Sequence, residues 1–420
     1  MGFASEWIES GSIFPELIKE APDNDTGIIV VVPAYDEPEI NRLLNSLSAC
    51  SKPNCKTEIL IIINAPDDAN DRSLSNNLQT LNNIESWKRN NKDHFFRLYS
   101  VNIGQPSVKG WGVGLARKAG MDEALRRFNH INRSEGIIVN LDADCIVQDN
   151  YFQSLENDFL QKNERKACSI FFEHPLSGSD YPGEIYRAVA QYELHLRYYY
   201  QALKYTGFPY VFHTIGSVIA VKALAYVKAG GMNRRQAGED FYFIQKLVPA
   251  GGYFNLTSTT VYPSPRISTR VPFGTGPVIG KMVDRREDHF MTYDPSAFRD
   301  LRGFFGKIES SYLSSDQQLN DLFSMFPESL NSFLNKEEWI SKIKEIKMNT
   351  SGLNSFAKRF FNWFNMFKVV KYLNYAHNSI FKKMQANAAA AELLRYLGEN
   401  NIPAETIDLL MYYRKMEKEV

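Results

Sequence analysis

GIIVNLDAD, residues 136–144, decides the fold. Its first six residues form an almost unbroken apolar run, the pattern of a strand buried on both faces of a parallel sheet. The chain leaves that run on two carboxylates, Asp142 and Asp144, separated by one residue. Working outward, residues 27–32 (GIIVVV, ended by Pro33) and 58–63 (EILIII, ended by Asn64-Ala65-Pro66) repeat the pattern. Helical spacing is predicted over 37–49, 74–90 and 114–128. Strand, helix and strand in this rhythm predict an α/β sheet with right-handed crossovers.

Polar residues collect where each apolar run stops: Tyr35, Asp36 and Glu37 after the first, Asn64, Asp67 and Asp68 after the second, Asp142 and Asp144 after the third. Open α/β sheets bind ligands at the carboxyl ends of their strands. One such cluster is ordinarily a solvated loop, whereas three strand ends together point to a site. Two carboxylates in a D-x-D triplet can face a divalent cation that also holds phosphate oxygens. Their hard oxygens suit Mg²⁺ or Mn²⁺ rather than zinc.

Composition narrows the function. In 420 residues, 48 Lys and Arg balance 48 Asp and Glu, which argues against a nucleic-acid partner. Cys50, Cys55, Cys145 and Cys168 lack metal-ligand spacing and read as reduced thiols of a cytoplasmic protein. The N-terminus carries acids where a secretory leader would be basic, and no apolar run reaches the roughly 18 residues of a membrane span. A soluble protein with no transmembrane segment is expected.

Five segments then occur in a telling order: PAYDEPE (33–39), GVGLARKAGMDEA (112–124), LDADCIV (141–147), AGGM (229–232) and GEDFYFIQKL (238–247). Together they resemble the family 2 glycosyltransferases of the GT-A fold, over roughly the first two thirds of the chain. The resemblance implies a Rossmann-like, mostly parallel sheet flanked by helices. It also implies a nucleotide-diphosphate sugar donor, Mn²⁺ or Mg²⁺ at the D-x-D, and transfer with inversion to an acceptor hydroxyl on a glycan, lipid or small molecule. Pro33, Tyr35 and Glu37 match the family's first nucleotide-binding loop, and Arg117 the arginine that helps hold the donor, with Lys109 a diphosphate contact. Asp142 matches the residue near ribose and metal, Asp144 the direct metal ligand, and Asp240 the catalytic base, with Glu239 beside it as the second candidate. Gly230-Gly231-Met232 matches the glycine turn before the base.

Two positions depart from the family pattern. Asn64 stands where relatives carry an aspartate for the base, and its amide can pair with a pyrimidine edge. The later stretch around Tyr262 holds no histidine to complete a metal site, which leaves His289 as a distant substitute or the donor diphosphate itself. Arg266 and Arg270, beside Gly274-Thr275-Gly276, have the forked donors to clamp a phosphate, although a surface ion pair is the plainer alternative. Asp240 has a plainer alternative too, as a helix cap, and His213 can be an acceptor contact or a structural histidine.

From about residue 295 the spacing turns helical. An aromatic stripe from Phe360 to Tyr372, interleaved with lysines, suits a packed core or a membrane-surface helix. The expected organisation is an N-terminal extension (1–26), a GT-A domain (27–290) and a helical C-terminal region (291–420). Two other functions fit the design. A sugar-nucleotide nucleotidyltransferase lacks its expected Gly-rich, basic loop after the first strand here. A catalytically silent binding protein would be free to lose the D-x-D or the G-E-D, and both are intact.

Overall fold

The computed structural model describes residues 2–104, 112–160, 162–233, 238–268, 270, 274–287 and 289–419. The expected diphosphate contact Lys109 lies outside them. The chain divides into two compact units, residues 1–186 with 214–280, and residues 187–213 with 281–420.

The first unit is built on an eight-stranded sheet. Its strands are β1 (Thr26–Ala34), β2 (Lys56–Ile63), β3 (Phe96–Asn102), β4 (Ile137–Asn140), β5 (Ile146–Val147), β6 (Ala167–Phe172), β7 (Ile219–Lys222) and β8 (Tyr253–Tyr262), in the order β3-β2-β1-β4-β7-β6-β8-β5. β3, β2, β1 and β4 run parallel, and β7 pairs antiparallel with both β4 and β6. The strand order reverses between β1 and β4, the switch point at which a crevice opens beyond the strand ends.

The apolar runs explain this core. Ile28 to Val32 on β1 and Ile59 to Ile63 on β2 are fully buried, each side chain contributing about 1.5–3 kcal/mol of burial free energy. β1 runs on through Pro33 and Ala34, past the expected stop. Val31 accepts from the Leu141 N–H on the β4 side, and the β4 ladder ends at Val31 paired with Asn140. The missing N–H of Pro33 falls on that same side, beyond the last paired residue, and removes no ladder bond. Ala34 still accepts from the Asn64 N–H on the β2 side.

The helices of this unit are α1 (Ser5–Gly11), α2 (Ile40–Ser48), α3 (Asp71–Asn90), α4 (Val113–His130), α5 (Tyr151–Leu160), α7 (Ala223–Lys228) and α8 (Glu239–Leu247). α6 (Gly183–Tyr205) begins in the first unit and continues into the second, as does α9 (Thr275–Arg285). The boundary between the units thus falls inside α6, and residues 187–213 group with the C-terminal region, a partition that spacing along the chain does not announce.

The second unit is mainly helical, with a short antiparallel pair of strands, β9 (Met291–Thr292) and β10 (Met384–Gln385), that are distant in sequence. The aromatic stripe lies inside it: Phe360, Phe361, Phe364 and Tyr372 are buried, and Phe360, Phe361 and Phe364 pack on Phe304 and Phe305. No helix among the described residues is long and apolar enough to cross a membrane. All four cysteines are free and buried.

Candidate functional site

The site is assembled at the ends of β1 and β4. Leaving β1, the chain turns at Asp36, which adopts a positive φ of 51° that aspartate tolerates better than most residues. Asn77 Oδ1 accepts the Asp36 N–H at 2.9 Å, and Asn76 and Ser73 on α3 hold its carboxylate. The turn sends Glu37 inward, where it is 1% exposed. A carboxylate so placed requires partners. Arg266 donates to Glu37 Oε2 at 2.6 Å, and Arg270 lies 3.3 Å from the same oxygen. Arg270 also donates to the Tyr35 carbonyl at 2.7 Å, which ties the basic loop to the β1 exit loop.

The same two arginines face Asp144, Arg266 at 3.4 Å and Arg270 at 3.8 Å. Burial, with Asp142 and Glu37 as negative neighbours, nevertheless pushes the Asp144 carboxyl up to about 6. Asp142 points to a different guanidinium. Arg117, near the start of α4 and 4% exposed, donates through Nη2 to Asp142 at 2.6 Å and through Nη1 to Glu239. Arg117 thereby joins the D-x-D to the G-E-D. It reaches both because Gly216, ahead of β7, has no side chain: a Cβ there would stand 2.1 Å from Arg117 Nη1. The Arg117 Nε is buried without a hydrogen-bond partner.

Gly238, at φ 73°, starts α8, so Asp240 sits in the first helical turn rather than at the N-cap. Its Oδ1 accepts from the Phe241 N–H at 2.7 Å. Burial raises the Asp240 carboxyl above its ordinary value, while Arg117 and the Phe241 N–H pull it down. Glu239 is 1% exposed and held by Arg117, whereas Asp240 is only half-buried.

The structure thus brings together Glu37, Arg117, Asp142, Asp144, Glu239, Asp240, Arg266 and Arg270. Tyr35 meets that cluster through its carbonyl, which accepts from Arg270, and the other sequence candidates lie elsewhere. Asn64 is buried, and its Nδ2 donates to the Gly112 carbonyl at 3.0 Å, so this amide braces the N-cap of α4. Pro33 is buried in β1, and Tyr35 is half-buried. His213 belongs to the second unit, where its Nε2 lies 3.0 Å from Glu417 and its ring stacks on Tyr200 at 4.6 Å. His289 belongs to that unit too and is exposed. Sequence reading missed the inward role of Arg117, and the available signal was Gly216 beside a strand-like run.

Among the described residues, no three His, Cys, Asp or Glu side chains form a group that could hold a metal unaided. Asp142 and Asp144 still fit a hard cation of the kind that takes one or two protein carboxylates and completes its shell with phosphate oxygens and water. Their side chains keep 34% and 29% exposure, and the carboxylates crowded around Asp144 need positive charge.

No family model and no curated protein matches this chain. Among solved structures it is similar to TarS residues 1–349 from S. aureus in complex with UDP-GlcNAc (13% identity, TM-score 0.40, covering 80% of this chain and 92% of that one). It is also similar to the mannosyltransferase PcManGT from Pyrobaculum calidifontis in complex with GDP-Man and Mn²⁺ (14%, TM-score 0.34, 99% and 92%). A third likeness is to glucosyl-3-phosphoglycerate synthase from Mycobacterium tuberculosis in complex with Mn²⁺, UDP-Glc and phosphoglyceric acid (17%, TM-score 0.33, 55% and 70%). At these scores the likeness decides nothing about chemistry, which rests on the side chains described above.

Proposed function

We propose that the chain is a glycosyltransferase of the GT-A type that moves a sugar from a nucleotide-diphosphate sugar to an acceptor hydroxyl, with inversion and with Asp240 as general base. One observation carries the reading: Arg117 bonds Asp142 of the D-x-D and Glu239 of the G-E-D at once. Asp142 of the D-x-D, Glu239 and the neighbouring Asp240 are gathered around one buried guanidinium.

In this reading Asp142 and Asp144 would hold Mn²⁺ or Mg²⁺, which would supply positive charge to the donor diphosphate. Asp240 uses Oδ1 on the Phe241 N–H and keeps Oδ2 for the proton. As the acceptor oxygen bonds to the anomeric carbon, the bond from that carbon to the diphosphate oxygen breaks. The nucleotide diphosphate leaves with the electron pair, and the acceptor proton passes to Asp240 Oδ2. Glu239, neutralised by Arg117, orients the helix start instead of acting as base. Arg117 itself is a positioning residue. Arg266 and Arg270, beside Asp144, stabilise the departing negative charge. Tyr35 and the backbone of the β1 exit loop face the nucleotide, with Pro33 and Glu37 shaping that loop from behind, Asn64 bracing the start of α4 and Lys109 adding a diphosphate contact.

The test is Asp240→Asn, which keeps the oxygen that accepts from Phe241 and removes the base. Stability and nucleotide-diphosphate binding are expected near wild type, with Mn²⁺-dependent release of nucleotide diphosphate from the donor sugar slowed by about two to four orders of magnitude. A fully active variant would remove Asp240 from the reaction and move the role to Glu239.

A further inference from the structure

Residues 1–26 carry one tryptophan, Trp7, in an otherwise ordinary polar extension. The segment is tethered along α4 at several points independent of that ring. Ala4 N–H donates to Asn129 at 2.8 Å, and the Leu17 and Ile18 N–H groups donate to Glu123 at 3.1 and 3.2 Å. Arg126 reaches the Phe14 carbonyl at 3.1 Å, and Arg127 the Glu20 carbonyl at 2.8 Å. Held there, α1 aims Trp7 at α4, which carries Arg117, and at the turn before the G-E-D.

On one side is α4, one residue beyond Arg117. Lys118 Nζ lies 5.1 Å from the Trp7 ring centre, and it is fixed by Asp122 at 2.8 Å. On the other side is the turn before the G-E-D. A Cβ on Gly231, whose φ is 70°, would stand 2.5 Å from the Trp7 ring, so only glycine admits the ring this closely. Tyr226 meets Trp7 edge-on at 5.6 Å and meets Phe243 of α8 at 5.7 Å. The Tyr226 hydroxyl donates to Asp122 at 2.6 Å, closing the circuit back to α4.

We propose that Trp7 is a positioning residue: its ring wedges α4, which carries Arg117, against the Gly231 turn and Tyr226, on which α8 with Glu239 and Asp240 is seated. The proposal rests on the reading of Asp240 as base. Trp7 touches no reacting atom and acts through Tyr226 and Phe243. Losing the ring leaves the tethers in place and frees α8 to shift relative to Arg117, and displacement of a reacting group by about 1 Å can cost on the order of 100-fold in rate.

The full chain with Trp7→Ala, Trp7→Phe and Asp240→Asn is compared by release of UDP or GDP from UDP-glucose, UDP-N-acetylglucosamine and GDP-mannose with Mn²⁺, well below each thermal midpoint. Trp7→Ala is expected to lower kcat by about 10- to 100-fold, leave donor KM and nucleotide-diphosphate Kd within about twofold, and recover most of kcat as Trp7→Phe. Should Trp7→Ala unfold, Trp7→Leu carries the same comparison. Wild-type kcat in the aliphatic variant while Asp240→Asn is inactive overturns the positioning role alone, and so does a loss confined to KM. A fully active Asp240→Asn, or no turnover of any donor by the wild type, overturns the reading on which the role rests.

Discussion

Two of the buried charge clusters among the described residues are built on opposite plans. In the second unit Glu193 and Glu417 meet Arg197 and Arg414: Arg197 donates to Glu193 at 2.8 Å and to Glu417 at 2.6 Å, and Arg414 donates to Glu193 at 2.8 Å. The Arg197 and Glu193 side chains are wholly buried, and among the described residues two carboxylates meet two guanidiniums, with the His213 ring against Glu417. In the first unit Glu37, Asp142, Asp144, Glu239 and Asp240 surround Arg117, Arg266 and Arg270. There, among the described residues, five carboxylates face three guanidiniums, and the cluster opens to solvent through Asp142 and Asp144. A balanced, sealed network holds elements together. An unbalanced, half-open one at a strand-order switch has the charge to take up a cation and its anionic ligand.

The largest expected effect breaks the balanced cluster. Arg197→Ala leaves buried carboxylates uncompensated and is expected to cost about 3–5 kcal/mol of stability, read from the urea midpoint. Nucleotide-diphosphate binding by the folded protein should be unchanged. A variant as stable as wild type would show that this network contributes nothing to stability.

A smaller effect sharpens the comparison from the other side. Gly216→Ala drives a methyl into the Arg117 guanidinium, which is expected to cost about 1–3 kcal/mol, the usual range for overpacking. Donor turnover should fall by more than that stability loss explains, because Asp142 and Glu239 lose their common partner. Turnover equal to wild type at matched folded fraction would mean that Arg117 holds structure only.

Much of this was legible along the chain, and the exceptions have physical causes. β1, β2 and β4 are central strands whose burial on both faces writes an unbroken apolar run. β3 is an edge strand with Arg97 and Asn102 exposed, so FRLYSVN carries no such run. The D-x-D and G-E-D stand out because each directly follows or opens a regular element. Their convergence on Arg117 does not, since it depends on a side chain missing at Gly216. Trp7 was hidden for the same reason: its neighbours Lys118, Tyr226 and Gly231 lie far along the chain, and no local period links them. The helical second unit was legible as helices, but its inclusion of residues 187–213 was not, because the boundary between the units falls inside the single helix α6.

The contrast between the two clusters is tested most directly by the thermal midpoint of wild type and Asp144→Ala with UDP or GDP, each with and without Mn²⁺. A ligand that binds only the folded state raises the midpoint. The wild type is expected to gain stability from one nucleotide diphosphate only when Mn²⁺ is present, and Asp144→Ala, folded as well as wild type in the absence of ligand, to lose that gain entirely. Equal Mn²⁺-dependent stabilisation of the two proteins would contradict the assignment of the open cluster as the donor and metal site.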